Sequence, residues 1–158
     1  MGSLNVKQII VNSQFVKNKD MTTYESDIKT ISSNEEVVFG ILSDLNNLKP
    51  ILEKTPISEK IKDLQFQTDS CSFIAEGFGK IGFKIIEREP NKTIKLQSEH
   101  APVEINVWIQ LKQRDVNVTQ MKLTLKADLP VMIKMMIDKK LKEGINLIAD
   151  ILASALSK

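Results

Sequence analysis

The sequence predicts an α+β domain: a seven-stranded antiparallel sheet with its helices gathered on one face. Three observations predict it. Seven short segments alternate apolar and polar residues with the period of a half-buried strand, and six of them follow one another with hairpin-length connections. Two short helical segments fall between the first strand and the second. The chain then closes on a long stretch whose apolar residues recur every three or four positions, the spacing of an amphipathic helix.

The first strand is expected over Thr22 to Ile31, with Tyr24, Ser26, Ile28 and Thr30 on its inner side. Ser33 precedes Glu36 by three residues, a capping-box spacing, and the apolar run Val37, Val38, Phe39, Ile41 and Leu42 follows. That helix should end near Ser43-Asp44. A second, over Leu45 to Glu53, is expected to be interrupted or kinked by Pro50. Ile61–Gln67, Cys71–Glu76, Lys80–Glu87 and the segment carrying Ile94, Leu96 and Ser98 read as strands. Gly77-Phe78-Gly79 forms a hairpin, and Glu89-Pro90-Asn91-Lys92 suits a type I turn. The clearest alternation is Val103, Ile105, Val107, Ile109 and Leu111 against Glu104, Asn106, Trp108, Gln110 and Lys112. The last strand carries Thr119, Met121, Leu123 and Leu125. Pro130 opens the terminal helix from within its first turn, and Ile133, Ile137, Leu141, Gly144, Ile148, Leu152 and Ala155 form its stripe.

A chain of 158 residues is the length of about one domain of ~150 residues. Residues 1–20 are polar, carry three lysines and one aspartate, and so hold the whole net charge of +2. They read as a poorly ordered extension to a single domain over 21–158. Elsewhere lysines and carboxylates are interspersed, without the basic face of a nucleic-acid binder. One cysteine and one histidine exclude an intrachain disulfide and any Cys- or His-rich metal cluster. No apolar run approaches a membrane span. The opening has neither the apolar core of a secretory signal nor Ser or Thr at position 6 for myristoylation, so the chain reads as cytoplasmic.

Taken together, the segment SNEEVVFGILSDLNNLKPI (Ser33–Ile51), the six-strand meander and the Leu-Pro-led terminal helix resemble the START/SRPBCC superfamily, which includes polyketide-cyclase-like and birch-pollen-allergen-like proteins. The resemblance spans about residues 22–157. It implies a helix-grip fold, a curved sheet wrapped around the C-terminal helix with a cavity between them. Members often carry an aromatic residue or Trp-Pro after the first helix, where this chain keeps only the proline of Leu48-Lys49-Pro50. No polar catalytic position of the cyclase branches can be matched.

The resemblance implies binding or carriage of a small-to-medium hydrophobic ligand: a lipid, sterol, polyketide or isoprenoid-like molecule. The cavity lining is then expected from Tyr24, Phe83, Ile85, Leu96, Ile105, Val107, Ile109, Met121 and Leu123 on the strands and Ile133, Met136 and Ile137 on the helix. Ser26, Thr30, Ser98 and Thr119 are the inward polar candidates for orienting a ligand. A cyclase/dehydratase-type enzyme is the alternative. It needs an inward ionisable group, and Tyr24 alone has the phase. The sequence assigns no catalytic residue, metal or cofactor. A third reading is a protein-partner module acting through Trp108 and the methionines Met132 and Met135, and a homodimer would use the same surface. Trp108 falls on the polar side of its strand, where it either anchors a partner or lies under the stems of Lys95 or Lys122. The first turns of the terminal helix, apolar around nearly their whole circumference, are either buried beneath Leu45–Glu53 or turned to a cavity mouth, a dimer face or a membrane. His100 reads as a solvated loop residue and Cys71 as packing. Glu35 and Glu36 suit a helix N-terminus through its dipole.

Overall fold

The computed structural model describes residues 21–158; the extension expected at 1–20 lies outside the described residues. Within the described residues, eight antiparallel strands form one sheet: β1 (Met21–Glu25), β2 (Lys29–Ile31), β3 (Ile61–Phe66), β4 (Ser70–Ala75), β5 (Gly79–Glu89), β6 (Thr93–Glu99), β7 (Ile105–Asp115) and β8 (Val118–Asp128). Helices α1 (Glu35–Leu42) and α2 (Leu48–Glu53) follow β2, and α3 (Val131–Leu156) ends the chain. The sheet runs β1-β8-β7-β6-β5-β4-β3, with β2 also paired to β8. The meander β3 to β8 is therefore the sequence order, and β1 and β2 close its far edge.

The eighth strand is a correction to the count. The segment expected as one strand is broken between Glu25 and Lys29. Glu25 is opposite Thr124 while Lys29 is opposite Met121, so one extra residue sits on the β1–β2 side. Ser26 holds the break: its N–H donates to the Leu123 carbonyl and its hydroxyl accepts from the Leu123 N–H, each at 2.9 Å. A one-residue bulge reverses the faces of everything after it. Ile31 thus becomes fully buried, whereas Ile28 and Thr30, expected inward, are exposed.

Three local details also differ from expectation. The α1 cap is Asn34, whose side chain accepts from the Val37 N–H at 2.9 Å; Ser33, one residue earlier, is buried instead. The second helical segment is a 3-10 turn over Leu45–Asn47 followed by α2. Pro50 is third in α2, where the missing N–H has no intrahelical partner to lose. The Glu89–Lys92 turn has Asn91 at φ 65°, and a positive φ at the third position makes it type II. In the β4–β5 hairpin Gly77 and Gly79 take positive φ, as the glycines of a tight turn do.

The core divides into two clusters. The larger joins Ile31, Val38, Leu42 and Leu45 to the inner faces of β5–β8 and to Ile145, Ala149, Leu152, Ala153 and Leu156 of α3. The smaller, at the other end of α3, holds Tyr24, Ala127, Leu129 and Ile133.

Candidate functional site

Beside the two clusters, and packed against one or the other, is a band of apolar side chains that are only half-buried. On β7, Ile109 and Leu111 are buried by the larger cluster, while Val107 and Ile105, next on the same face, are not. Val107 is in the interior of the sheet, paired to Leu96 on one side and Leu125 on the other. Phe83 and its partner Cys71 extend the band across β5 and β4. From α3, Ile137, Leu141 and Ile148 face the same region, each of intermediate exposure.

Gly144 shares the helical stripe of those three residues. No heavy atom outside its own helical surroundings lies within 4 Å of where its Cβ would be. Gly144 is of intermediate exposure, so a side chain added there would enter open space.

The expected lining residues divide accordingly. Tyr24, Ile85, Leu96, Ile109, Met121, Leu123 and Ile133 are buried in the clusters, and Phe83, Ile105, Val107 and Ile137 belong to the half-buried band. Met136 departs from the expectation, because it is exposed on the outer side of α3. The inward polar candidates are already bonded within the protein. Thr119 donates to the Ser33 carbonyl at 2.7 Å, and Ser98 accepts from the Ile105 N–H at 2.9 Å. Thr30 is corrected to the outer face by the bulge.

Tyr24 is the one ionisable candidate with an inward phase. Its hydroxyl donates to Asp138 Oδ1 at 2.7 Å, tying β1 to the second turn of α3. Burial raises the phenol's pKa well above its ordinary value, and the bond to Asp138 raises it further. The same bond, with help from Lys142, holds the Asp138 carboxyl below its usual range. At neutral pH the pair is thus a phenol donating to a carboxylate, and its proton is already engaged. Nothing in the sequence marks Asp138 as this partner, since the contact joins residues 114 positions apart.

Cys71 is half-buried, and burial pushes its thiol up to about 11, against the effect of the Phe83 amide. Such a thiol is a poor nucleophile at neutral pH. His100, at φ 57°, is exposed in the β6–β7 connection and lines an open hollow of about 290 Å³ with Ser98, Pro102 and Val103. A larger apolar groove of about 430 Å³ runs between Pro50, Ile51 and Lys54 of the α2 region and Ile151, Ser154 and Ala155 of α3. Trp108 lies half-buried on the outer face, with Lys95 Nζ 5.1 Å and Lys126 Nζ 5.6 Å from its ring centroid. Lys122, expected there, instead reaches Glu25 at 3.3 Å. Among the described residues there is no group of three or more His, Cys, Asp or Glu side chains able to hold a metal, and no helix long and apolar enough to cross a membrane.

No family model matches the chain, and neither does any curated protein. Solved structures do. Norcoclaurine synthase from Thalictrum flavum superposes with a TM-score of 0.69 at 11% identity, over 87% of this chain and 94% of that one. A START superfamily protein from Mycobacterium smegmatis gives 0.59 at 14% identity, covering 86% and 96%. A protein from Thermus thermophilus gives 0.63 at 14%, covering 85% and 97%. The chain has the helix-grip fold of these structures.

Proposed function

We propose that the half-buried band is the wall of a binding space for a small-to-medium hydrophobic ligand, and that the protein binds or carries that ligand in the cytoplasm. The single observation that carries this reading is the set of half-buried hydrocarbon side chains on the inner face of the sheet, Phe83, Ile105 and Val107, in a fold whose long helix supplies Ile137 and Leu141. An apolar ligand gains by displacing water from such a space at roughly 25 cal/mol per Å² of surface covered. Recognition would rest on shape and desolvation, because the inward hydroxyls are spent on backbone partners. A lipid, sterol, polyketide or isoprenoid-like molecule fits this chemistry.

The test fills the space. Val107→Phe in a tight core overpacks and costs about 1–3 kcal/mol. In an open one the ring occupies free volume, and stability stays level or rises. Gly144→Leu adds a side chain to the uncontacted position and also removes the helix penalty of glycine, about 1 kcal/mol. Both variants should keep or raise the melting temperature and lose most of the wild type's uptake of an apolar fluorescent probe. Strong destabilisation by both, with no probe binding by the wild type, would overturn the reading.

A further inference from the structure

Four outward positions on the first two turns of α3 are apolar and exposed: Val131 at 65%, Met132 at 63%, Met135 at 79% and Met136 at 62%. Nothing in the binding space uses them. We infer that this patch, with the lysines beside it, docks the protein on an anionic lipid surface.

Charge is the argument for that occupant. Residues 131–143 contain Lys134, Lys139, Lys140 and Lys142 against Asp138 and Glu143, a net +2. Residues 21–158 sum to zero, so outside 131–143 they sum to −2. Among the described residues, the helical segment that exposes the apolar patch is therefore net positive while the remainder is net negative. A protein partner is the poorer match, because lysine is depleted at protein interfaces. Unbranched, adaptable methionines with lysine ammonium groups around them suit acyl chains beneath phosphate or carboxylate headgroups. The inference does not require the ligand reading, since the patch is outside the band.

Co-sedimentation with vesicles tests it, comparing pure phosphatidylcholine with an equal mixture of phosphatidylcholine and phosphatidylserine. The full chain should bind the mixed vesicles, bind pure phosphatidylcholine weakly, and release at high salt. Each lysine near an anionic surface is worth about fivefold, so Lys139→Glu with Lys140→Glu should weaken binding by at least about 25-fold. Met132→Asp with Met135→Asp should weaken it at least tenfold with the melting temperature unchanged, as the side chains are exposed. Three results would overturn the inference: equal binding to both vesicle types, or to neither; a concentration-dependent dimer abolished by the Met→Asp pair, which assigns the patch to a second copy; or vesicle binding seen only after residues 1–20 are deleted, which assigns it to the chain's own N-terminal segment. Because the readout is vesicle binding, its failure is distinct from failure of the probe-uptake test.

Discussion

The two halves of α3 are similarly rich in apolar residues, and they meet opposite surroundings. In the C-terminal half Ile145, Ala149, Leu152, Ala153 and Leu156 are buried against the sheet, with α1 and the Leu45 turn completing the cover. In the N-terminal half Ile133 is buried, while the four side chains beside it point to solvent. The placement of Val38, Leu42 and Leu45 explains the difference, because they share a cluster with the C-terminal half alone. Pro50 and Ile51 of α2 line an open groove with Ile151 and Ala155, near the end of α3 rather than its beginning. The alternative in which Leu45–Glu53 buries the first turns is corrected by that placement. Helix amphipathicity therefore reports what a helix can bury, and a second element decides what it does bury.

The largest expected effect comes from removing the helix. A chain ending at Asp128 exposes the inner faces of β1, β2, β7 and β8 together. At roughly 1.5–3 kcal/mol per large apolar side chain, the loss exceeds the total stability of an ordinary domain. The product should be insoluble or molten. A soluble fragment with a sharp unfolding transition would show that α3 is detachable and that the contrast between its halves has no energetic meaning.

Point substitutions sharpen the contrast. Leu152→Ala removes a nearly fully buried side chain and should cost about 2–5 kcal/mol in a urea titration. Met135→Ala, the same truncation on the exposed half, should stay within about 0.5 kcal/mol of wild type. Equal costs would mean that the N-terminal turns are covered after all.

The smallest effect concerns what does anchor the N-terminal half. Tyr24→Phe deletes the hydrogen bond to Asp138 and should cost about 1 kcal/mol. Its pH signature is more informative than its size. Asp138 is held below its ordinary pKa, so its contribution is present above the usual carboxylate range and lost as pH falls through the lowered value. Tyr24 is raised above its ordinary 10.0, so its contribution is complete below that pH and declines as pH climbs toward the raised value. Melting temperatures of the variant should therefore fall less than those of wild type at both the acid and the alkaline extreme. Parallel curves would show that the bond does not couple β1 to α3.

Much of the sheet could be read from the chain. Period-two alternation put Ile109, Leu111, Met121 and Leu123 on the inner face, where all four are buried. Inward phase is a local property, set by the pleat alone. The β2 phase was not readable, because the extra residue near Ser26 exists only relative to the register of β8. Trp108 likewise needed its cross-strand neighbours. Lys95 is opposite it on β6, but Lys126 rather than Lys122 completes the cover, because Lys122 is drawn to Glu25.

The sequence by itself determined the order of elements, the antiparallel meander, the single long terminal helix and the hydrocarbon character of the inner face. Each follows from backbone periodicity and side-chain polarity within a few residues. Only the tertiary structure decided which apolar residues are covered, and that Tyr24 meets Asp138. Those outcomes depend on where distant segments come to rest. A side chain's hydrophobicity sets what it gains from a neighbour, and the packing of the whole chain determines whether that neighbour is there.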